Sequence, residues 1–124
     1  MNHPLPSESE EQAALFRWAA MAQKIHPELE LLHHIPNGGL RSKATAARLK
    51  REGVKSGVPD LCLPVPKGPY HGLYIEMKRK GNAPTPNQKH WLRALGHQGY
   101  HIAVCYSWQE GKDVIIQYLT AKKA

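Results

Sequence analysis

Three side chains in two short apolar segments offer the chemistry in this sequence. Asp60 directly precedes the apolar triplet 61–63, and Glu76 and Lys78 stand two residues apart in segment 73–78. Because side chains alternate between the two faces of a strand, Glu76 and Lys78 share one face. Burying these charges without partners would be costly, so they are either solvated or bound to a ligand such as a metal ion.

Such a set suits phosphodiester hydrolysis. That reaction needs an activated water and a counter-charge for the negative charge that develops on the phosphate, and one or two divalent metals supply both. Mg²⁺ usually binds one or two protein carboxylates, the number that Asp60 and Glu76 provide. Lys78 can position the water or offset charge on the phosphate.

The elements that must position these residues alternate between helices and strands. The predicted order is a helix over 8–24, a strand over 29–35, a short helix between Ser42 and Gly53, strands within 57–63 and 73–78, a helix from Pro86 to about Gln98, a strand over 100–106 and a helix after Ser107. Cap signals define several boundaries, because Ser7 with Glu10 and Thr85 with Gln88 have capping-box spacing. The order predicts an α/β fold with a mixed sheet flanked by helices.

Two helices place further polar residues at the start of a core-facing stripe. Gln88 precedes Leu92 by four residues, so it is either a reciprocal cap or a side chain of the site. Glu8 and Glu11 precede Leu15 by seven and four residues, and each either complements the helix dipole or faces the core. The residues themselves leave these alternatives open.

The charge balance favours a polyanionic partner. The chain carries 17 basic and 10 acidic residues, for a net charge of +7 and a pI near 9.6. Six basic residues stand against the single acid Glu52 between positions 41 and 55: Arg41, Lys43, Arg48, Lys50, Arg51 and Lys55. They form either a solvated face or a surface that follows nucleic-acid phosphates. The preceding Asn37-Gly38 turn either offers backbone N–H groups to a phosphate or closes a hairpin.

The remaining composition predicts one intracellular domain. The 124 residues fit a single domain over 7–124 after a flexible tail over 1–6. The sequence has no basic leader and no apolar run long enough to span a bilayer, so we expect a cytoplasmic protein without a membrane partner. Cys62 and Cys105 are expected to be reduced core residues, and neither a structural zinc site nor an organic cofactor is expected.

The ensemble of motifs resembles the VRR-NUC nucleases of the PD-(D/E)xK superfamily over nearly the whole chain. The motifs are Glu8 four residues before Gln12, Pro36-Asn37-Gly38-Gly39 followed by Arg41, the segment 53–60 ending in Pro59-Asp60, the segment 72–78 with Glu76-Met77-Lys78, and Gln88 with Trp91. Their order and approximate spacing are similar to those of small stand-alone VRR-NUC proteins of phages and bacteria.

The resemblance implies a restriction-endonuclease-like fold and a role for each motif. Asp60 and Glu76 would bind the metal, with the Met77 carbonyl as a further ligand, and Lys78 would be catalytic. Gln88 would lie beside the site, and a helix glutamate would lie near the metal through water, with Glu8 preferred because of its spacing to Gln12 and Glu11 as the alternative. Family members of this type are Mg²⁺- or Mn²⁺-dependent homodimers that cut branched DNA such as Holliday junctions, here in a bacterial or phage-infected cell.

The sequence also allows two other functions. In the first, the protein is a non-catalytic DNA-binding module with structural carboxylates, which the complete set of Asp60, Glu76 and Lys78 disfavours. In the second, it is a sequence-specific restriction-type endonuclease, which would need a separate recognition element that 124 residues hardly accommodate. A structure-selective endonuclease is therefore the leading hypothesis.

Overall fold

The computed structural model describes residues 5–36 and 42–121, and within them it shows four α-helices and a four-stranded sheet. The helices are α1 (Glu8–Ala22), α2 (Lys43–Arg51), α3 (Pro86–His97) and α4 (Trp108–Thr120), and the strands are β1 (His33–His34), β2 (Leu61–Leu63), β3 (Leu73–Met77) and β4 (His101–Cys105). A 3-10 helix, Pro27–Leu31, connects α1 to β1. None of the described helices combines the length and apolar character needed to cross a membrane.

The sheet is mixed, and its strands lie in the order β1-β2-β3-β4. Both β1 and β3 pair with β2 in antiparallel fashion, whereas β3 and β4 are parallel. Parallel strands need a crossover connection, and α3 supplies it. The predicted α/β fold with a mixed, helix-flanked sheet is confirmed.

One face of the sheet packs against α1 and α4 to form the main core. Ile75 and Met77 of β3 are buried there with Leu15 of α1 and Ile115 of α4. The two helices approach closely at Gly111, because a Cβ on that residue would lie only 2.9 Å from Cδ2 of Leu15. This apolar layer fixes the position of β3 from behind.

The opposite face of the sheet is covered by α3. Leu92 is buried, and a Cβ on Gly96 would lie 3.8 Å from Cδ1 of Ile102 in β4. The parallel register pairs Ile102 with Tyr74 and places it on the face that also carries Glu76. The helix that begins at Pro86 therefore lies over the face with the predicted chemistry.

The predicted caps are confirmed at each helix. Ser7 and Glu10 form a capping box at α1, and Thr85 and Gln88 form one at α3. The Ser42 and Ser107 side chains cap α2 and α4, respectively, by accepting from backbone amides of the first turn. Each cap satisfies an amide that would otherwise lack a partner at the start of a helix.

The predicted strand over 29–35 is wrong for most of its length. A 3-10 helix occupies Pro27–Leu31, and only His33–His34 is a strand. Leu29 and Leu32 are buried while Leu31 is 50% exposed, so burial repeats every three residues, as in a 3-10 turn, rather than every two. Proline at the first helical position favours this turn.

The segment 57–63 is also less regular than predicted. Only Leu61–Leu63 is a strand, and Asp60 lies just before it. Cys62 and Cys105 are buried free thiols. Of the predicted tail, residues 1–4 lie outside the described residues, and the Leu5 carbonyl accepts a 3.3 Å hydrogen bond from Nη2 of Arg79.

Candidate active site

Two carboxylates lie side by side at one end of the paired strands β2 and β3. The antiparallel register pairs Leu61 with Ile75, and one step further it sets Asp60 opposite Glu76. Directly opposite residues of such a pair point to the same face. Oδ2 of Asp60 accepts a 2.8 Å hydrogen bond from the Met77 amide, which holds the carboxylate at this end of β3. The structure thus brings the two predicted acids together.

Among the charged residues that the structure describes, only Glu76 is buried, with 2% of its surface exposed. Its Oε1 accepts a 3.1 Å hydrogen bond from Nε2 of Gln88, whereas its Oε2 has no hydrogen-bond partner among the described residues. Burial first, and then the Asp60 carboxylate, raise the pKa of Glu76 to about 8 against the opposing effect of the Lys78 ammonium. An ionised pair at this position requires a positive charge to offset burial and mutual repulsion.

Lys78 stands directly after β3 and is half-buried. Its backbone amide donates a 2.9 Å hydrogen bond to the Cys105 carbonyl, so the residue is fixed to β4. The Lys78 ammonium is the opposite charge that lowers the pKa of Glu76. The predicted acid and lysine therefore interact, with the lysine at the more open end of the strand.

Gln88 both caps α3 and contacts the candidate site. Its Oε1 accepts a 2.8 Å hydrogen bond from the Thr85 amide as part of the capping box, while its Nε2 donates to Glu76. One amide can do both because it carries an acceptor and a donor group. The start of α3 is thereby fixed to the buried carboxylate.

A second contact at the start of α3 was missed by sequence reasoning. Nδ2 of Asn87 donates hydrogen bonds of 2.9 Å to both the carbonyl and the hydroxyl of Ser56. The adjacent Gly57 has φ +89°, and a Cβ there would lie 2.8 Å from Cγ of Asn87. Asn87 therefore fixes the loop that leads to Asp60, while its neighbour Gln88 fixes Glu76. The one signal in the sequence is a glycine three residues before Asp60, which does not identify its partner.

The two helix glutamates lie in different surroundings. Oε2 of Glu11 accepts a 2.7 Å hydrogen bond from the Trp108 amide at the start of α4. Glu8 is exposed, and its charge contributes to raising the pKa of Glu76. The geometry therefore favours Glu8 as the acid facing the site, since Glu11 already serves as a cap.

Comparisons with known proteins identify the family of this chain. The model of the VRR-NUC domain matches residues 7–109. The chain belongs to the VRR-NUC family. A solved structure described as a VRR_NUC domain protein is similar with a TM-score of 0.82 and 34% identity, over 97% of this chain and 93% of that one. Among curated proteins, none matches. The resemblance inferred from the motifs is confirmed, and membership places the chain in a nuclease family.

The predicted basic segment of this VRR-NUC domain forms an exposed surface. Five of its basic side chains are described, and all are exposed: Lys43, Arg48, Lys50, Arg51 and Lys55. Helix α2 has no buried residue, and no salt bridge to these side chains occurs in the described part of the chain. Asn37, Gly38 and Arg41, also predicted to contact nucleic acid, lie outside the described residues. The described cations are therefore available to an external anion.

The donor set of the site fits a hard divalent cation. Within residues 5–36 and 42–121, no three His, Cys, Asp or Glu side chains form a group that could hold a metal ion. The acids in question are thus the pair Asp60 and Glu76, and Mg²⁺ needs no more than one or two carboxylates. A cation would also satisfy Oε2 of Glu76, which is buried without a partner.

Proposed function

We propose that this VRR-NUC domain is a metal-dependent endonuclease that hydrolyses phosphodiester bonds of branched DNA, such as Holliday junctions, with Mg²⁺ or Mn²⁺. The observation that carries the proposal is the pair of the buried Glu76 and the partly buried Asp60, with a Glu76 oxygen that has no partner in the described chain and with Lys78 beside it. Family membership supports nuclease activity. The preference for branched DNA rests on the resemblance to small stand-alone members.

The side chains divide the chemistry among them. A bound divalent metal would supply positive charge to the developing phosphate charge and lower the pKa of a water. Asp60 and Glu76 would hold it, with the Met77 carbonyl and, through water, Glu8 as further ligands. Lys78 would orient the attacking water or offset charge on the phosphate, because its ammonium acts on Glu76 and the residue is less buried than Glu76. These assignments are proposals for the individual residues.

Gln88 and the basic surface complete the proposed machinery. By donating to Oε1, Gln88 keeps Glu76 in one orientation and leaves Oε2 for a ligand. The exposed cations of segment 43–55 would contact DNA phosphates, together with Arg41, Asn37 and Gly38. Such contacts give affinity without reading sequence, which suits an enzyme that selects DNA by shape.

We further propose that the protein acts as a homodimer. A four-way junction is resolved by two symmetric incisions, and two sites related by a two-fold axis would make them. A protein that cuts DNA would meet its substrate in the cytoplasm of a bacterial or phage-infected cell, where we propose that it acts. Size-exclusion chromatography with light scattering tests the dimer, and a monomer that cuts both strands of a junction would contradict it.

Cleavage of defined DNA structures tests the activity. Labelled linear, flap, fork and four-way DNA would be incubated with Mg²⁺, Mn²⁺ or EDTA, and cuts mapped at nucleotide resolution. We expect cleavage of branched DNA with either metal and none with EDTA. Binding without any product would instead support a DNA-binding module, and cuts clustered at one short motif in linear duplex would support a restriction-type enzyme.

Single substitutions test the assigned residues. Asp60→Ala, Glu76→Ala and Lys78→Ala should each abolish cleavage while leaving junction binding largely intact, because they remove the metal ligands or the positioned cation. The exposed residues Glu30 and Lys24 provide matched controls as Glu30→Ala and Lys24→Ala. If Lys78→Ala cut at the wild-type rate, the assignment of the site would be wrong.

Thermal denaturation tests the metal without relying on activity. A ligand that binds only the folded state stabilises it by RT ln(1 + [L]/Kd), so the wild-type melting temperature should rise with Mg²⁺ concentration. Glu76→Gln removes the charge of the ligand but retains its shape, and its melting temperature should rise less. An equal rise in both proteins would mean that Glu76 does not bind the metal.

A further inference from the structure

An open cleft of about 480 Å³ lies beside the candidate active site, where β3 and β4 end. Its lining residues are Lys80, Gly81, Asn82, Tyr106, Ser107 and Glu110. Lys80 follows Lys78 by two residues, and Tyr106 follows Cys105, whose carbonyl accepts the hydrogen bond from the Lys78 amide. The parallel register pairs Met77 with Cys105, and one step further it sets Lys78 beside Tyr106. The cleft therefore borders the proposed catalytic lysine.

Tyr106 differs from the other tyrosines of the chain. The sequence contains five, all within the described residues, and four of them pack against another ring: Tyr70, Tyr74, Tyr100 and Tyr118. In the described part of the chain, Tyr106 has no ring partner and its hydroxyl makes no hydrogen bond. Its backbone amide donates a 3.2 Å hydrogen bond to Oε1 of Glu110, which fixes its position at the end of β4. An aromatic side chain on a backbone held in this way, without a ring partner among the described residues, is suited to stacking on a nucleobase.

The other residues of the cleft complement a nucleotide. The exposed Lys80 offers an ammonium to a phosphate, and Asn82 offers both a donor and an acceptor to a base edge. Gly81 has φ +95°, and a Cβ there would meet nothing within 4 Å, so a ligand can approach the backbone at this turn. The volume lies in the range of roughly 300 to 1,000 Å³ that is typical of small-molecule sites.

We propose that this cleft binds one nucleotide of the DNA substrate next to the scissile phosphate, with its base stacked on Tyr106 and its phosphate paired with Lys80. The inference rests on the proposed nuclease function and adds a specificity-determining subsite to it. Stacking on a side chain requires a base that has left its neighbours in the helix, and this costs least at a branch point, where pairing is already interrupted. Tyr106 would thus help the enzyme to recognise branched DNA.

A double-mutant cycle between protein and DNA tests the subsite. Junctions carrying one abasic nucleotide at successive positions around the mapped cut would be titrated with wild type, Tyr106→Phe and Tyr106→Leu, in Ca²⁺ and again in EDTA. If wild type makes no cut, positions around the branch point are scanned instead. We expect Tyr106→Leu to weaken binding of intact junction about 10-fold, and Tyr106→Phe to bind like wild type. At one position the abasic nucleotide should cost wild type a similar factor and Tyr106→Leu nothing further.

Lys80→Ala should also weaken binding and lower its salt dependence, whereas Lys24→Ala should do neither. Melting temperatures of all variants establish that they are folded. Equal abasic effects in wild type and a folded Tyr106→Leu at every position would overturn the subsite, even if wild-type cleavage upheld the nuclease. Coupling at one position without cleavage of any DNA would support base stacking on Tyr106 but refute the nuclease and, with it, a subsite next to a scissile phosphate. Wild type that bound no DNA would refute both.

Discussion

Two helices of this protein begin with the same capping box, but only one box contacts the candidate site. At α1, Ser7 and Glu10 exchange hydrogen bonds of 3.2 and 3.1 Å. At α3, Thr85 and Gln88 exchange bonds of 2.8 and 3.2 Å. Glu10 is exposed and makes no further side-chain bond within the described residues, whereas Gln88 also donates to Glu76. The same local motif thus only caps the helix at α1, whereas at α3 it also contacts the candidate site.

The difference follows from the chemistry of the third helical residue. A carboxylate only accepts hydrogen bonds, whereas an amide has a donor group in addition to its acceptor oxygen. At α1 an acceptor is sufficient and the negative charge favours the helix start. At α3 a negative charge would face Glu76, whose pKa is already raised by burial and by the Asp60 carboxylate. Glutamine therefore retains the cap and adds a bond to the site.

Of the changes to the two boxes, the largest loss of cleavage is expected when the glutamine of the α3 box is replaced by the glutamate that the α1 box has. Gln88→Glu retains the acceptor of the cap but removes the donor to Glu76 and adds a negative charge beside it. We expect junction cleavage to fall about 10- to 100-fold, the usual range when the hydrogen-bond partner of a metal ligand is changed. Rates at several Mg²⁺ concentrations, with circular dichroism to follow helix content, provide the measurement. A wild-type rate would mean that the bond to Glu76 has no role in catalysis.

The next largest effect is a loss of stability in the loop that Asn87 holds through Ser56. The α1 box makes no comparable contact with a loop in the described chain. Gly57→Ala introduces a side chain at φ +89° and places its Cβ 2.8 Å from Asn87. We expect a loss of about 1–3 kcal/mol in the free energy of unfolding, measured by urea denaturation. Gly53→Ala is the matched control, since Gly53 has φ +101° but open space around its Cβ position. Equal losses of unfolding free energy in the two variants would show that the Asn87 side chain moves aside without cost.

Removal of the cap hydroxyls tests whether the boxes differ in function rather than in strength. Ser7→Ala and Thr85→Ala should each cost about 1 kcal/mol of unfolding free energy, because each leaves one amide of the first turn without its acceptor. Only Thr85→Ala should also reduce cleavage, because it loosens the turn that carries Gln88. Denaturation and cleavage rates are compared for the pair. A similar loss of cleavage in Ser7→Ala and Thr85→Ala would mean that the two boxes do not differ in function.

The smallest effect is expected from the reciprocal exchange at α1. Glu10→Gln keeps the acceptor oxygen and removes only an exposed charge near the helix start, so the free energy of unfolding should change by less than about 0.5 kcal/mol. Cleavage should be unchanged because Glu10 does not contact the site. A marked drop in activity on this exchange would place α1 nearer to the chemistry than its hydrogen bonds indicate.

The features that the sequence predicted well are those with local signals. Alternation over 73–78 identified Glu76 and Lys78 as a pair on one face, and spacing alone located both capping boxes. The strand predicted over 29–35 is wrong for most of its length because the apolar residues there also fit a 3-10 turn, and the difference depends on burial against the rest of the chain. Local patterns therefore predicted the central residues of the candidate site but not all of the contacts that support them.

The remaining features depend on contacts between distant segments. The bond from Asn87 to Ser56 spans 31 residues, and no periodicity in either segment points to the other. The choice between Glu8 and Glu11 depends on Trp108, because the bond from Glu11 to that amide occupies one of the two acids. The sequence leaves open whether Gln88 is a cap or a site residue; in the structure it caps α3 and also donates to Glu76, and this second contact is set only by the packing of α3 on the sheet.

The bond between Glu11 and Trp108 also has a consequence for how the protein is made. It joins residues 97 apart in sequence, and beside it Leu15 packs against Gly111, so the layer behind β3 needs both α1 and α4. Contacts of such long range are slow to form. A growing chain on the ribosome cannot complete this layer before α4 has emerged. The apolar layer behind the carboxylate pair is therefore completed only after α4 has been synthesised, and a shorter nascent chain would lack this support for β3.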